Sequence, residues 1–432
     1  MRRTLLGSLL AVGFVCGLFF IRPWPRLHAA DAAAGANALA AARHLFLTGN
    51  EAEAIDALTP LAERDPAAAL LLARATLAHG QANAETAADE QLQAAAKRFP
   101  KAGVFPAERA RLAFARGDLD LARAQVAEAL RIEPDELMAH WIDAELDRVV
   151  GKLPDAEKKY RWFVDYYNAH EEKSPDALRI IGWGAAQFAR WKRLQDQFIF
   201  LVNDLYPDCL KLEADYWPAH YESGCLFLEK YNQAEASKEF KAALAINPNA
   251  AVVYAAQAEL ALQSYDLAEA KTNLDRALKL NPDLNRAYLL QARLHLANFA
   301  ADEAIQVLER ARQRASFNKL DEEPLGTLAA AYAAVDGQPE HLAGSRAGKL
   351  AAEVDARNPH AGVFYFALAS GLDAVRKFPA AAQFYEEASR RMPQLLGPKS
   401  ELGLMWMRLG KEVEAEQVLK AAFDEDPFNI RV

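Results

Sequence analysis

The chain is 432 residues long, with a formal net charge of -9 and three cysteines, Cys16, Cys209 and Cys225. Its composition, 52% hydrophobic and 25% charged, is that of a folded chain rather than a disordered one. An acidic chain without a clustered basic stripe argues against a nucleic-acid partner, and so few cysteines cannot build a disulfide scaffold.

The first element is a targeting segment. Arg2 and Arg3 precede an apolar run at residues 4–21, TLLGSLLAVGFVCGLFFI, and Pro23 and Pro25 follow it. This is the pattern of an export signal, set apart from the fold. The run is also just long enough to span a bilayer. Residues 1–34 are therefore expected to be either a signal peptide cleaved near Ala29 or Ala32, or an N-terminal membrane anchor with a short linker, oriented N-in by Arg2 and Arg3. Cys16 follows Val15, not a small residue, which argues against lipidation. The rest of the chain is expected outside the cytoplasm, periplasmic or anchored in the inner membrane and facing the periplasm. Membrane contact is expected only through this segment, if it stays uncleaved.

From residue 35 onward the chain is written as a ladder. Pro66, Pro100 and Pro134 are 34 residues apart; so are Pro248 and Pro282, and again Pro359, Pro393 and Pro427. Twelve residues before each proline stands an alanine, as at Ala54, Ala122, Ala236 and Ala381. Eight before is usually a large apolar residue (Leu58, Phe240, Tyr385), five before usually an alanine (Ala129, Ala243, Ala388), and 24 before a glycine or alanine (Ala110, Gly224, Gly403). Offsets of four and seven fall on one stripe of a helix, so each unit reads as helix, turn, helix, then a proline-bearing loop. Two places break the interval. An excess of 12 residues falls at about 169–216, where two longer helices are expected, and an excess of 9 at about 317–361.

The period and these spacings resemble the tetratricopeptide repeat, most closely in WPAHYESGCLFLEKYNQAEASKEFKAALAINP at residues 217–248. The resemblance covers residues 35–432 and implies an all-α fold, a right-handed α-α superhelix (a TPR solenoid) of about eleven helix-turn-helix units. It also implies a concave groove, lined by the first helix of each unit, that takes a protein or peptide partner. Carried over position by position, the groove residues are Trp141, Tyr221, Leu228, Glu259, Leu262, Arg286, Leu289, Arg293, Leu296 and Phe366. The Lys and Asn with which the best-known members hold C-terminal carboxylates are missing here. The middle of the groove reads as apolar instead, with Arg286, Arg293 and Glu259 at its flanks.

No catalytic or metal spacing occurs in the sequence. HEEKS at His170 has no second histidine, GSRAGKL at Gly344 lacks both the glycine spacing and the Ser/Thr of a phosphate loop, and GWGAAQ at Gly182 lacks a third glycine. No cofactor, metal or catalytic residue is expected. Cys209 and Cys225 fall on helices that pack together, so a disulfide fits geometrically, although buried free thiols are the commoner outcome. The expected function is a non-catalytic protein-protein interaction scaffold of the bacterial cell envelope. The alternative is the N-terminal recruiting region of a larger exported enzyme. QDQFIFLVNDLYPD and residues 217–236 resemble long bacterial repeat proteins whose zinc metallopeptidase-like domain would follow Val432.

Overall fold

The structure is a computed structural model and describes residues 27–429 apart from 81, 82, 315 and 338. The export segment at residues 1–26 and the chain's end at 430–432 lie outside the described residues. Among the described residues every regular element is a helix, and the helices pair into eleven units. Units 1 to 4 are α1 (Leu27–Leu47) with α2 (Glu51–Leu58), α3 (Pro66–His79) with α4 (Ala84–Arg98), α5 (Val104–Ala115) with α6 (Leu119–Ile132), and α7 (Leu137–Val149) with α8 (Leu153–Ala169). Unit 5 pairs α9 (Pro175–Lys192) with a helix made of α10 (Gln195–Phe200), a π-turn (Leu201–Leu205) and α11 (Tyr206–Leu212). Units 6 to 8 are α12 (Trp217–Glu229) with α13 (Gln233–Ile246), α14 (Ala251–Gln263) with α15 (Leu267–Leu280), and α16 (Asn285–Ala297) with α17 (Ala301–Arg312). Units 9 to 11 are α18 (Glu322–Asp336) with α19 (Arg346–Arg357), α20 (Gly362–Ala374) with α21 (Phe378–Arg391), and α22 (Gly397–Arg408) with α23 (Glu412–Glu425). This is the α-α solenoid of tetratricopeptide type.

The ladder residues build the core. Ala54, Ala88, Ala122, Ala236, Ala270, Ala304 and Ala381 have no exposed surface, and Phe240 and Leu58 are equally sealed. In unit 6 the small residue of the first helix, Gly224, lies directly under the Phe240 ring, where a Cβ would overlap it. Gly403 makes the same seat for Leu419, 2.5 Å from where its Cβ would stand. The small-large alternation thus sets how close the two helices of a unit approach. Side-chain caps fix several starts: Asp65 accepts from Ala67 N and Ala68 N, Asp118 from Leu121 N, and Ser345 from Gly348 N. The last of these shows what GSRAGKL is, a helix cap.

The first irregular stretch is two lengthened helices, α9 and the α10–α11 helix. Pro207 sits just past the π-turn. Proline has no N–H to give and its ring crowds the carbonyl four residues back, so a continuing helix must widen there, which a π-turn does. In the second, the nine extra residues lengthen the turn between α18 and α19 and the loop before α18.

The path of the superhelix brings distant units together. The turn inside unit 1 meets the loop after unit 6, where Asn249 Nδ2 donates to Gly49 O at 3.0 Å across 200 residues of chain. The same register recurs: Gly80 with Asn281, Gly117 with Asn318, and Gly151 with Asn358. At each of these loops the asparagine Oδ1 also accepts an N–H two residues on, at 2.9 Å, forming an Asx turn. Arg193 of unit 5 then reaches Pro393 O at 2.9 Å and Glu425, and Lys230 of unit 6 reaches Asp426 at 2.8 Å. A separation of about 200 residues is about six 34-residue units per superhelical turn. The second coil therefore rests on the first.

Candidate functional site

The first helix of each unit faces the inside of the coil. Along this inner channel the side chains are charged and paired, mostly between neighbouring first helices and in one place across the channel. Arg43 on α1 reaches Asp176 on α9 at 2.9 Å, and Arg74 on α3 pairs with Glu108 on α5. Arg111 joins the same carboxylate at 2.6 Å. Arg179 and Arg190 on α9 meet Glu222 and Glu229 on α12 at 2.8 and 2.7 Å. Glu259 on α14 holds Arg286 on α16 at 2.6 Å, and Glu323 on α18 bridges Arg286 and Arg293 at 2.5 and 2.6 Å. Asp373 on α20 holds Arg408 on α22 at 2.5 Å.

Burial alone would raise the pKa of Glu108, Asp176 and Glu323, but the facing guanidiniums outweigh it and hold each at about 2. These acids are therefore charged throughout the physiological range. Glu136, at the rim of the channel near Asp176, is the opposite case. It is buried, and burial lifts it to about 8 even though it caps Ala139 N at 2.5 Å.

Two of the openings along the channel bear on the site. One, of about 530 Å³, includes Arg74, Arg111, Asp176, Trp183 and Tyr216 in its wall. The other, of about 640 Å³, is lined by residues of the second coil, among them Leu262, Phe366 and Phe378 beside Glu259, Arg293 and Arg408.

The residues assigned to the groove from the sequence divide into three sets. Glu259, Leu262, Arg293 and Phe366 line the larger opening together, and Arg286 stands beside it with 36% of its side chain exposed. Trp141 and Tyr221 are half-buried. Trp141 packs against Tyr160 and Trp183 at 5.9 and 5.6 Å, and Tyr221 stands 6.4 Å from both Trp217 and Phe240. Leu228, Leu289 and Leu296 are 5%, 1% and 0% exposed and belong to the core. The assignment of Leu228 and Leu289 to the groove surface is corrected; Leu296 has no exposed surface but stands in the wall of the larger opening. The cause is the tight curvature, which packs successive first helices against one another. Leu296 lies under α20, with its Cδ1 3.2 Å from where a Cβ on Gly371 would stand. The middle of the groove is accordingly mixed: the Glu259–Arg286–Glu323–Arg293 chain lies beside Leu262, Phe366 and Phe378.

Sequence reasoning missed both the charge pairing and the coil-on-coil contact. Each had a signal. Arg74 and Glu108 are opposite charges one 34-residue period apart on first helices, and they pair; Glu259 instead pairs with Arg286, 27 residues on. The Asn-Pro pairs at 247, 281 and 358 are three of the second coil's contact loops.

Cys209 and Cys225 are both free thiols. Burial pushes Cys209 up to about 12 and raises Cys225 further. Among the described residues no group of His, Cys, Asp and Glu could hold a metal ion, and no helix is long and apolar enough to cross a membrane.

No family model matches the chain, and no curated protein does. Among solved structures it is similar to yeast Tom70, with a TM-score of 0.37 and 14% identity over 91% of this chain and 92% of that one. It is similar to Cut9 in an APC/C hetero-tetramer with Hcn1, with a TM-score of 0.36 and 16% identity over 91% and 81%. A tetratricopeptide repeat protein from Parabacteroides merdae gives 0.37 and 16% over 74% and 98%. Likenesses this distant carry no weight here. The fold rests on the helix pairs and the 34-residue ladder themselves.

Proposed function

We propose that this chain is a non-catalytic scaffold of the bacterial cell envelope, exported and working on the periplasmic side, which holds an extended segment of a protein partner along its inner channel. The observation that supports it best is the 640 Å³ opening, where Leu262, Phe366 and Phe378 lie beside Glu259, Arg293 and Arg408. Such a surface offers an apolar side chain a seat and offers a peptide backbone donors and acceptors on both sides. The paired charges favour a segment with its own hydrogen-bonding groups over a fully apolar one, because displacing a guanidinium from its carboxylate without replacement is costly.

The test is site-specific photo-crosslinking in the cells that make the protein. A photoreactive side chain at Leu262 is expected to capture a discrete partner protein. The same group at Lys238, exposed on the second helix of unit 6, is expected not to. If both positions give the same products, or if Leu262→Glu leaves capture from an adjacent channel position unchanged, the channel is not the binding site.

A further inference from the structure

We propose that a second copy of this chain docks end-on, the turn edge of units 7 to 11 in one copy taking the loop edge of units 1 to 5 in the next. The inference starts from the contact inside one molecule. There, the turn of each early unit rests on a loop of the second coil, in a register repeated from Gly49 with Asn247 to Lys230 with Asp426. Among the described residues, the turns of units 7 to 11 have no such coil above them, and the loops after units 1 to 5 have none below. Both halves of the internal contact are therefore presented again, one at each end of the described coil.

The free turn edge has the chemistry of a contact surface. Tyr265 and Phe299 occupy the turn positions of units 7 and 8, at φ of 60° and 61°, and are 68% and 57% exposed. The Arg376 guanidinium lies 5.3 Å from the Phe299 ring centre, and Lys377 beside it is exposed. The end face of unit 11 adds Met407, Val413 and Phe423, which are 56%, 67% and 51% exposed. Solitary exposed apolar residues need no explanation, but a patch shared by successive repeats at one end does. The first unit, at the other end, offers a flat, small-residue surface in the exposed Ala36, Ala40 and Ala41 of α1.

Charge selects the occupant. The free loop edge carries exposed Glu63, Glu133, Asp135 and Glu171 against exposed Arg64, Lys101 and Lys173, and the free turn edge carries exposed Arg376, Lys377 and Lys411 against exposed Asp266, so acid is in excess on one edge and base on the other. Within the molecule the same signs meet in the same way, with Arg193 and Lys230 on turns and Glu425 and Asp426 at the end of α23 above them. Arg376 is the left-handed turn residue of unit 10, as Arg193 is of unit 5, at φ of 60° and 57°. Continuing the internal register, the turn of unit 10 falls opposite the loop after unit 4 of the next copy, which contains Glu172 and Glu171, the latter paired with Lys173 at 3.4 Å and open to exchange that partner for Arg376. Such a contact is heterologous, so it propagates into short stacks rather than closing into a symmetric dimer.

The experiment is sedimentation velocity on the full chain, purified as it accumulates in an expressing cell, over a concentration series at low and high salt. The expected result is dimers and longer species that grow with concentration and recede with salt. Arg376→Glu with Lys377→Glu is expected to weaken self-association roughly tenfold or more. Adding Glu171→Lys to that same chain, or mixing the doubly reversed chain with one carrying Glu171→Lys alone, is expected to restore it. All three positions are exposed, and an unchanged circular dichroism melt shows that the fold is intact. A monomer at every concentration overturns the proposal, as does self-association that ignores the reversals or is not restored by the opposite one.

Discussion

Placing an alanine at Gly151 tests whether the two coils touch. Gly151 has a φ of 76°, and a Cβ there would lie 2.6 Å from Asn358 Oδ1. The backbone conformation alone costs an L-residue roughly 1–2 kcal/mol. Asn358 cannot simply swing aside. It is 4% exposed, its Oδ1 accepts from His360 N at 2.9 Å, and its Nδ2 donates to Glu322 Oε1 at 2.7 Å. Leaving one of those buried groups without its partner adds about 1–3 kcal/mol. Gly410, with φ of 72° and nothing within 4 Å, bears the backbone cost without the collision. Gly151→Ala should therefore destabilise by about 2–5 kcal/mol and Gly410→Ala by only about 1–2. Denaturant unfolding measures the difference. Hydrogen exchange at the His360 amide should accelerate in the first variant only, and small-angle scattering should show a larger radius. Equal destabilisation by the two alanines, with exchange at His360 unchanged, would refute the stacked-coil reading.

Lys230→Ala strands Asp426, whose side chain is only 9% exposed, and should cost about 3–5 kcal/mol in chemical denaturation, whereas Lys230→Met with Asp426→Leu should recover most of it. Glu136 is held by burial at about 8 in the folded chain and returns to about 4.3 when unfolded, so the folded state keeps a proton that the unfolded state has released. Stability should therefore fall by about 1.4 kcal/mol per unit as pH rises between about 5 and 8 from this group alone, and Glu136→Gln should flatten that slope in melts taken across the range. On the acid side the sign reverses. Glu108, Asp176 and Glu323 are held near 2, so their contribution is complete above the unfolded carboxylate pKa of about 4 and is lost as pH falls toward 2. Glu108→Gln, which leaves Arg74 and Arg111 without their carboxylate, should cost about 3–5 kcal/mol at neutral pH and show a shallower acid transition than the parent chain.

The local architecture was legible because it is written in local spacing. Ala54, Ala236 and Phe240 sit where a 34-residue period and a helical stripe require them, and the proline positions mark the loops after most units. The lengthened helices at unit 5 could be read from the excess residues, but the π-turn could not, because it depends on how a helix accommodates Pro207. The channel was half legible. Glu259, Leu262, Arg293 and Phe366 do come together, because the first helix of each unit faces inward whatever the curvature. Leu228 and Leu289 were misplaced, and Leu296 is buried in the wall rather than exposed, because exposure on that helix depends on the tightness of the superhelix. That tightness is set by contacts such as Gly371 over Leu296, between units with no fixed sequence relation. Pairs about 200 residues apart, such as Gly49 with Asn247, leave only a weak mark in sequence: a glycine in one turn and an Asn-Pro much later.

The glycine-asparagine contacts also change how the molecule responds to strain. An open solenoid is a soft spring whose units contact only their neighbours, so it frays from its ends and its stability is close to a nearest-neighbour sum. Here each of the first six units is fastened to the coil above. Pulling the ends apart must first break fastenings in parallel rather than unwind units in series. Closing loops of that length is also slow, so the second coil is expected to settle onto the first late in folding, after the individual helix pairs have formed. The result is a stiff, cooperative cylinder assembled from parts that are individually compliant.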